Sequence, residues 1–569
     1  MSQTSTLAEP LNIAAGLSAM AAAQPHTMAV VVPDGRDRAG HVRYTHLTYR
    51  QLDQDSDRIA HGLLETGIDP RTRALVMVRP GLDFFSLVFA LFKAGVVPVL
   101  IDPGIGLRNL GRCAREAAPE VFIGIPRALK AQRLLGWGRE TVRRRILVAP
   151  GRAAGVGAKV KTLDDLRRAG EAALERRGRS THSIASFAAA ETAAILFTSG
   201  STGPPKGAVY THAIFQAQVE TFRSLYAIEP GEIDLCTFPL FALFAPALGM
   251  TAIVPDMDPT RPARVDPARL FEAIDDFGVT NLFGSPALLR RLVEGAEKCS
   301  RRLPGLKRVI SAGAPVSAKI LERLARLLDA PAQIHTPYGA TESLPVASIG
   351  STEILGETRR ATDRGMGVCV GRPVGGVEAR IIPIRDDPIP LWSDDLIVSD
   401  GQIGEIVVTG PIVTREYFNR PQATALAKIA DPARGIVYHR MGDAGYRDDQ
   451  GRLWFCGRKS HRVILGNETL FTIPCEAIFN THPAVSRTAL VGASRLGELI
   501  PVICVEPMHP LSRSEQHKIR QELIDRGAGF SHTKGIKTIL FHRSFPVDIR
   551  HNAKIFREKL AVWATRRLR

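Results

Sequence analysis

Four stretches of this 569-residue chain carry residue types that can do chemistry together. The first is Phe197-Thr198-Ser199-Gly200-Ser201-Thr202-Gly203-Pro204-Pro205-Lys206-Gly207. Glycines let successive backbone N–H groups turn toward one anion, the hydroxyls of Thr198, Ser199, Ser201 and Thr202 add donors, and Lys206 adds a point charge. Such a loop suits a polyphosphate. It is not a Walker A loop, because the G-x-x-x-x-G-K-[ST] spacing is absent and Pro204-Pro205 precede the lysine. An ordinary Gly/Ser surface turn accounts for the glycines and hydroxyls but not for the full string with its lysine. The second stretch is Thr336-Pro337-Tyr338-Gly339-Ala340-Thr341-Glu342, where an aromatic beside a glycine can stack a base and a carboxylate can take Mg²⁺. The third is Gly442-Asp443-Ala444-Gly445-Tyr446 followed by Gly457-Arg458, a carboxylate and an arginine that can share one sugar. Gly-Asp alone is more often a turn signal. The fourth is Phe545-Pro546-Val547-Asp548-Ile549-Arg550-His551-Asn552-Ala553-Lys554, in which a lysine on a polar loop can act as a mobile electrostatic catalyst or be an ordinary surface lysine.

Elements must position these groups. The apolar run 193–197 enters the first stretch and a second run, 208–210, leaves it, so the pattern is strand, polar loop, strand. Upstream, residues 11–23 read as helix, 28–32 and 44–48 as strands, 49–64 as helix, 73–78 as strand, 82–93 as helix and 96–101 as strand. This alternation indicates βαβ units and a largely parallel, two-sided sheet. Residues 126–185, rich in Arg, Ala and Gly with helical patterns at 128–135 and 163–176, read as a surface excursion. A helix is expected at 213–225. The apolar segment Phe244-Ala245-Pro246-Ala247-Leu248 reads equally as pocket lining or plain core. A strand at 306–311 ends in Ala312-Gly313-Ala314-Pro315 before a helix at 316–328, the kind of junction that carries ligands at the carboxyl ends of parallel strands. From Gly371 onward, short strands at 379–384, 405–409 and 453–456 suggest a small antiparallel unit. The expected architecture is α/β, with a large domain over residues 1–458 and a smaller, mobile α+β domain over 459–569.

Bulk properties narrow the class. A 45% hydrophobic and 23% charged composition is that of a globular protein, and the length favours two or more domains. Seven scattered cysteines without a C-x-x-C pair read as reduced, buried thiols of a cytoplasmic protein. No secretory signal is expected, and the most apolar stretch, 82–101, is interrupted by Asp83, Lys93, Gly95 and Pro98, which argues against a membrane span. The net charge of +17 is spread over the chain without a basic helix carrying interleaved aromatics, which argues against nucleic acid as the main partner.

In this order, the four stretches resemble the acyl-adenylate-forming superfamily of acyl-CoA synthetases, non-ribosomal peptide adenylation domains and luciferases. The resemblance extends to Val370-Gly371-Arg372-Pro373, Gly404-Glu405 and Tyr417-Phe418-Asn419-Arg420-Pro421 with Thr424, and covers nearly the whole chain. It implies ATP and Mg²⁺ as cofactors. Residues Thr198, Ser199, Gly200, Ser201, Thr202, Gly203 and Lys206 would hold the phosphates, Tyr338 beside Gly339 would stack on adenine, and Gly313, Ala314 and Pro315 would lie between adenine and the acyl pocket. Thr341 would contact the α-phosphate, Glu342 would bind the metal, and Asp443 and Arg458 would hold the ribose. Lys554 would bridge carboxylate and α-phosphate oxygens, so the implied catalytic groups are Lys554, Glu342 and Lys206.

The chain also departs from that pattern. The histidine usual in acyl-CoA synthetases after Pro239-Leu240-Phe241 is Ala242, the usual hinge Asp or Lys is Ser460, and the Lys-x-x-Gly segment on the pantetheine side is replaced by Leu465-Gly466-Asn467-Glu468-Thr469-Leu470-Phe471. The pattern resumes at Pro474 and Glu476. With Gly81-Leu82-Asp83-Phe84-Phe85, Ile101-Asp102-Pro103-Gly104 and Val547-Asp548-Ile549-Arg550-His551-Asn552, these departures most resemble the β-lactone synthetases of bacterial long-chain olefin biosynthesis. That resemblance implies activation of a long-chain 2-alkyl-3-hydroxy acid, closure by its own hydroxyl without CoA, and association with the pathway's lactone decarboxylase and ketoreductase. The rival readings are a long-chain fatty acyl-CoA synthetase and an adenylate-binding scaffold in a multi-enzyme assembly.

Overall fold

The computed structural model describes residues 11–149, 160–178, 185, 187–198, 203–547 and 554–569. Its first sheet has seven strands in the spatial order Lys161–Thr162, Arg144–Leu147, Val121–Gly124, Arg73–Met77, Val97–Leu100, Thr192–Phe197 and Gly207–Thr211. Neighbours run parallel except the last pair, an antiparallel hairpin that brackets the first chemical stretch as expected. Strands Arg144–Leu147 and Lys161–Thr162 correct the reading of 126–185 as a surface excursion, because they extend the sheet by two strands. Helix Leu163–Arg176 then packs on helix Tyr49–Glu65 so closely that a Cβ on Gly62 would lie 2.1 Å from the Leu166 carbonyl oxygen, and one on Gly170 1.8 Å from that of Arg58. Two glycines far apart in sequence thus permit one helix crossing, which a composition reading of either segment does not reveal.

A second sheet has a parallel half formed by Met28–Arg36, Thr251–Ile253, Ile233–Cys236, Asn281–Phe283, Arg308–Ile310 and Gln333–Ala340. At Gln333–Ala340 the pairing changes hand. Ser343–Gly350, Val368–Pro373, Leu453–Arg458, Ile436–Arg447, Gly404–Thr409 and Glu378–Ile382 follow antiparallel. The short strands after Gly371 thus form the antiparallel unit expected, joined edge to edge with the parallel half. Strand Gln333–Ala340 offers one edge to each kind of neighbour.

Residues 459–569 carry a three-stranded sheet of Val485–Arg495, Glu498–Pro507 and Thr538–Phe541. Alternation along its first strand divides two small cores. Leu490 packs with Ile478, Phe479 and Leu523, whereas Ala489 and Val491 pack with Leu560 and Ala564 of helix Arg557–Leu568. The seven cysteines are all free, but Cys299 is exposed, against the expectation of uniformly buried thiols. Among the described residues no helix is long and apolar enough to cross a membrane.

Helix Leu82–Lys93 is apolar on nearly every face and buried from Phe84 to Lys93, as a helix covered on both sides must be. Its one cation, Lys93, is fully buried and bonds Asp57 at 2.6 Å and Asp53 at 2.7 Å on helix Tyr49–Glu65. Removing one partner of a buried ion pair leaves the other desolvated and uncompensated. Lys93→Ala is expected to lower stability by about 3–5 kcal/mol in urea denaturation, whereas Arg176→Ala, whose ion pair with Glu65 is exposed, changes it by less than about 1 kcal/mol.

Candidate active site

Pairing of Ala340 with Ser343 makes Thr341 and Glu342 the two turn residues of the hairpin at the sheet's change of hand. Gly339 is required beside it, since a Cβ there would meet the Ser343 carbonyl oxygen at 2.5 Å. Although it sits in a turn, Glu342 is held by several hydrogen bonds. The Tyr417 hydroxyl donates to its Oε1 at 2.5 Å, and both the amide and hydroxyl of Thr414 donate to its carbonyl oxygen, at 2.9 and 3.1 Å. Burial, with Glu342 next, raises the Tyr417 phenol far above its ordinary value, so it stays a donor. Tyr210, from the other sheet, donates to the Thr341 carbonyl oxygen.

Asp443 and Arg458 face one another across the antiparallel pair Ile436–Arg447 and Leu453–Arg458, so their separation in sequence is the length of the hairpin's return. Asp443 is thus a strand residue, with Gly442 at φ +67° re-aiming the chain before it. The Tyr338 hydroxyl donates to Asp443 Oδ2 at 2.6 Å. Asp443 Oδ1 lies 3.0 Å from Arg458 Nη1 yet is not aligned for a hydrogen bond, which leaves a buried acceptor able to take a hydroxyl. Burial raises the Asp443 carboxyl, with Arg458 and Tyr338 acting against it.

Thr198 and Lys206 close the first stretch: the Thr198 amide donates to the Lys206 carbonyl oxygen at 3.0 Å, and the Lys206 amide to Thr198 Oγ1 at 3.3 Å. Ser199, Gly200, Ser201 and Thr202 lie outside the described residues. Lys206 Nζ stands 4.8 Å from the Tyr417 ring centroid, the range of a cation–π contact. Behind that ring is a cation that sequence reasoning missed. Lys428 is buried, and its Nζ donates to the Thr414 carbonyl oxygen and, at 3.2 Å, to Thr414 Oγ1. Burial brings this amine down to about 7, with Glu342 opposing and Lys206 reinforcing the shift. Its cross-strand partner His439, within 3.3 Å of the Ala427 carbonyl oxygen, is pushed well below the ordinary histidine value by burial and then by Lys428. Nothing local in Ala427-Lys428-Ile429 signals this placement.

The described residues on either side of 548–553 are held to one another and to the three-stranded sheet. Val547 bridges Ile555, the Phe556 amide donates to the Pro546 carbonyl oxygen at 2.9 Å, and Arg557 donates to both oxygens of buried Glu476 at 2.8 Å. Glu476 Oε1 also accepts from the Leu490 amide at 2.8 Å, tying Arg557 to the three-stranded sheet. Residues 548–553 lie outside the described residues.

One cavity of about 600 Å³ collects most of these groups at the carboxyl ends of the parallel strands. Its polar end is lined by Thr198, Gly203, Lys206, Gly313, Gly339, Thr341, Glu342, Arg458 and Lys554, and its other end by apolar side chains that include Phe89, Phe92, Phe215, Phe241 and Phe244. Within the Phe244 segment, Phe244 and Ala247 line this cavity, whereas Ala245 and Leu248 are core residues outside it. Tyr338 and Asp443 stand behind the lining, with Tyr338 held by its hydrogen bond. Of the Gly313-Ala314-Pro315 stretch, Gly313, at φ +93°, lines the cavity, with Ala312 before it. Beyond Arg458, the cavity lining includes Glu405, part of the resemblance, together with Arg440 and Lys459, which sequence reasoning missed. Buried Glu405 binds Arg440 at 2.7 Å and Lys459 at 3.2 Å.

The carboxylate pattern suits a magnesium ion. Tyr417 occupies one oxygen of Glu342 and leaves the other, and among the described residues no group of three metal-ligating side chains exists. Mg²⁺ commonly takes one or two carboxylates together with substrate phosphates, which this arrangement matches.

A family model described as AMP-binding enzyme matches residues 17–418. The chain is 50% identical over 560 residues to an olefin beta-lactone synthetase from Xanthomonas campestris pv. campestris, covering 97% of each chain. It is 50% identical over 567 residues to an olefin beta-lactone synthetase from Stenotrophomonas maltophilia, covering 98% of this chain and 99% of the other. Among solved structures, the O-succinylbenzoate coenzyme A synthetase MenE from Bacillus subtilis, in complex with ATP and magnesium ion, shares the fold with a TM-score of 0.71 at 20% identity, over 96% of this chain and 98% of that one.

The Lys428 amine supplies a pH signature. With its folded value near 7 and its ordinary value at 10.5, the unfolded chain binds more protons between those limits. The cost of burying the charge is full below pH 7 and is relieved as the pH rises. Lys428→Met is therefore expected to compare best with wild type at pH 6–7 and to lose ground toward pH 9, by at most about 1.4 kcal/mol per pH unit, measured as the pH dependence of the difference in unfolding free energy.

Proposed function

Because the chain belongs to the AMP-binding enzyme family, we propose that it uses ATP to activate a long-chain 2-alkyl-3-hydroxy acid as its acyl-adenylate and then closes the acid to a β-lactone. The observation that carries this reading is the 50% identity, over nearly the whole length, to two olefin beta-lactone synthetases. The cavity agrees with it, because a polar end built for anions opens directly into an apolar end suited to alkyl chains.

In the first half-reaction a carboxylate oxygen attacks the α-phosphorus of ATP and the bond to pyrophosphate breaks. Anions must approach one another, so positive charge and oriented donors have to be in place beforehand. Lys206 and the loop from Thr198 to Gly203 would hold the phosphates, Thr341 would donate to the α-phosphate, and Asp443 and Arg458 would hold the ribose, with the base near Tyr338, Gly339 and Gly313. Glu342 would hold Mg²⁺ through its second oxygen, which supplies charge neutralisation between the phosphates. Lys554 would sit between the carboxylate and α-phosphate oxygens, three residues before Arg557, which Glu476 holds.

In the second half-reaction the 3-hydroxyl oxygen attacks the acyl carbon, the bond to AMP breaks, and the hydroxyl proton passes to the departing AMP phosphate or to solvent. The nucleophile belongs to the substrate, and intramolecular attack gains effective molarities of up to about 10⁵–10⁸ M, less what ring strain removes. Neither Ala242, buried in the short helix Pro239–Ala242, nor the tight hairpin at Leu465 and Glu468 has to serve an external thiol. Residues 1–458 and 459–569 would act as two domains, the second moving about Ser460 between half-reactions. Cytoplasmic placement and association with the decarboxylase and ketoreductase acting on neighbouring intermediates complete the reading, supported by the relatives' olefin pathway.

Incubation with ATP, Mg²⁺ and a 2-alkyl-3-hydroxy acid, with and without CoA, is expected to give β-lactone and AMP at equal rates. A thioester formed only with CoA would instead make the chain an acyl-CoA synthetase, and absence of AMP with any acid would leave a binding scaffold. For the first half-reaction, Lys554→Ala is expected to lower pyrophosphate exchange by about 10²–10³ while ATP binding persists. Retained exchange in that variant removes Lys554 from the catalytic role.

A further inference from the structure

An unbranched acid needs one apolar channel beside its carboxylate. A 2-alkyl-3-hydroxy acid needs two, because its chains leave adjacent carbons and diverge at once. The structure contains a second cavity of about 50 Å³ that shares Phe241, Phe244, Ala312, Pro337 and Leu344 with the main one. From this common wall the main cavity continues toward Phe89, Phe92 and Phe215, and the second continues toward Ile228, Leu248, Met250 and Phe283. The fork lies at Ala312, next to Gly313.

The divider is aromatic. Phe241 and Phe244, on the successive short helices Pro239–Ala242 and Phe244–Leu248, are both only partly buried. Phe241 stacks on Phe283 with centroids 4.3 Å apart, and Phe244 meets Phe222 edge-on at 5.4 Å and Phe215 at 6.3 Å. Each divider ring thus touches aromatics that line one arm or the other. The polar side chains in the second cavity are already engaged, which suits an alkyl occupant. Asp234 accepts from Cys236 Sγ at 3.0 Å, and Asn281 bonds Glu232 and Arg308.

We propose that the second cavity is the subsite for the substrate's 2-alkyl chain, the chain on C3 running in the main arm, with Phe241 and Phe244 as the wedge that separates them, an inference that rests on the lactone reading above. The cavity's volume takes the first carbons of a chain, and displacement of the Phe241 ring from Phe283 extends it. The wedge also has a chemical use. Holding the two chains apart fixes the bond between C2 and C3, and so places the 3-hydroxyl relative to the acyl carbon.

The test compares 2-hexyl-3-hydroxydecanoic acid with 3-hydroxydecanoic acid, by lactone and AMP formation, in wild type and in Ala245→Leu. Ala245 is buried and lines the second cavity only. The variant is expected to lower kcat/KM for the branched acid about tenfold or more, and to change the unbranched acid by no more than about twofold. Should Ala245→Leu not fold, Ile228→Phe narrows the same cavity from another element and carries the same expectation. Equal losses for both acids, or no loss for either, overturn the subsite. If wild type forms no lactone from the branched acid, the functional reading itself fails, an outcome separate from the behaviour of the variants.

Discussion

The hydrogen bond from Tyr417 to Glu342 ties the two sheets together at the point where charge has to be controlled. Tyr417 sits in a segment that joins the first sheet, with the Val209 amide donating to Glu416, Ala208 bridging Tyr417 and the Phe418 amide donating to Gly207. Its hydroxyl reaches the turn of the second sheet, and Thr414 and Val413 of the same segment hold that turn at Glu342 and Ser343. The hairpin bearing Lys206 and the turn bearing Glu342 are thereby kept in one geometry. Groups that stabilise developing charge are effective in proportion to how little they reorganise, so this one segment does for the site what a rigid element does elsewhere.

Electrostatics follow from that tie. Lys206 approaches the Tyr417 ring from the cavity side and Lys428 lies on the same ring at 5.9 Å. A burden of buried positive charge without a matching buried anion is costly, and the lowering of the Lys428 amine by burial is the visible form of that cost. A polyphosphate is the kind of ligand that relieves it. At the other edge of the cavity, Glu405 already has Arg440 and Lys459 beside it. The phenylalanine-lined end of the cavity, by contrast, offers apolar volume.

The C-terminal segment is built on the same economy of contacts. Leu465 and Glu468 pair across a two-residue turn with Gly466 at φ +59°, where a left-handed backbone favours glycine. Glu476 looks in sequence like the mere resumption of a pattern, yet in three dimensions it gathers Arg557, three residues after Lys554, and the Leu490 amide. An intramolecular nucleophile removes the need for a thiol entry path. The residues that would have served one are, in this chain, a buried alanine and a short hairpin.

Much was legible without coordinates. Helix Leu82–Lys93, the hairpin around residues 198–206 and the βαβ alternation follow from local periodicity and from glycine and proline chemistry, which act within a few residues. Asp443 with Arg458, and Glu342 after Tyr338, stand out in the sequence by residue type, and strand pairing sets Asp443 opposite Arg458 and Glu342 in a two-residue turn. The tertiary structure alone decided that strands Arg144–Leu147 and Lys161–Thr162 extend a sheet and that the late antiparallel strands join the parallel ones. It alone placed Lys428 behind Tyr417, Arg557 on Glu476, and Phe241 between two cavities. The reason is the range of the forces involved. Backbone preferences and hydrophobic period are written into neighbouring residues, whereas burial, charge pairing and the division of a cavity depend on partners brought from distant parts of the chain.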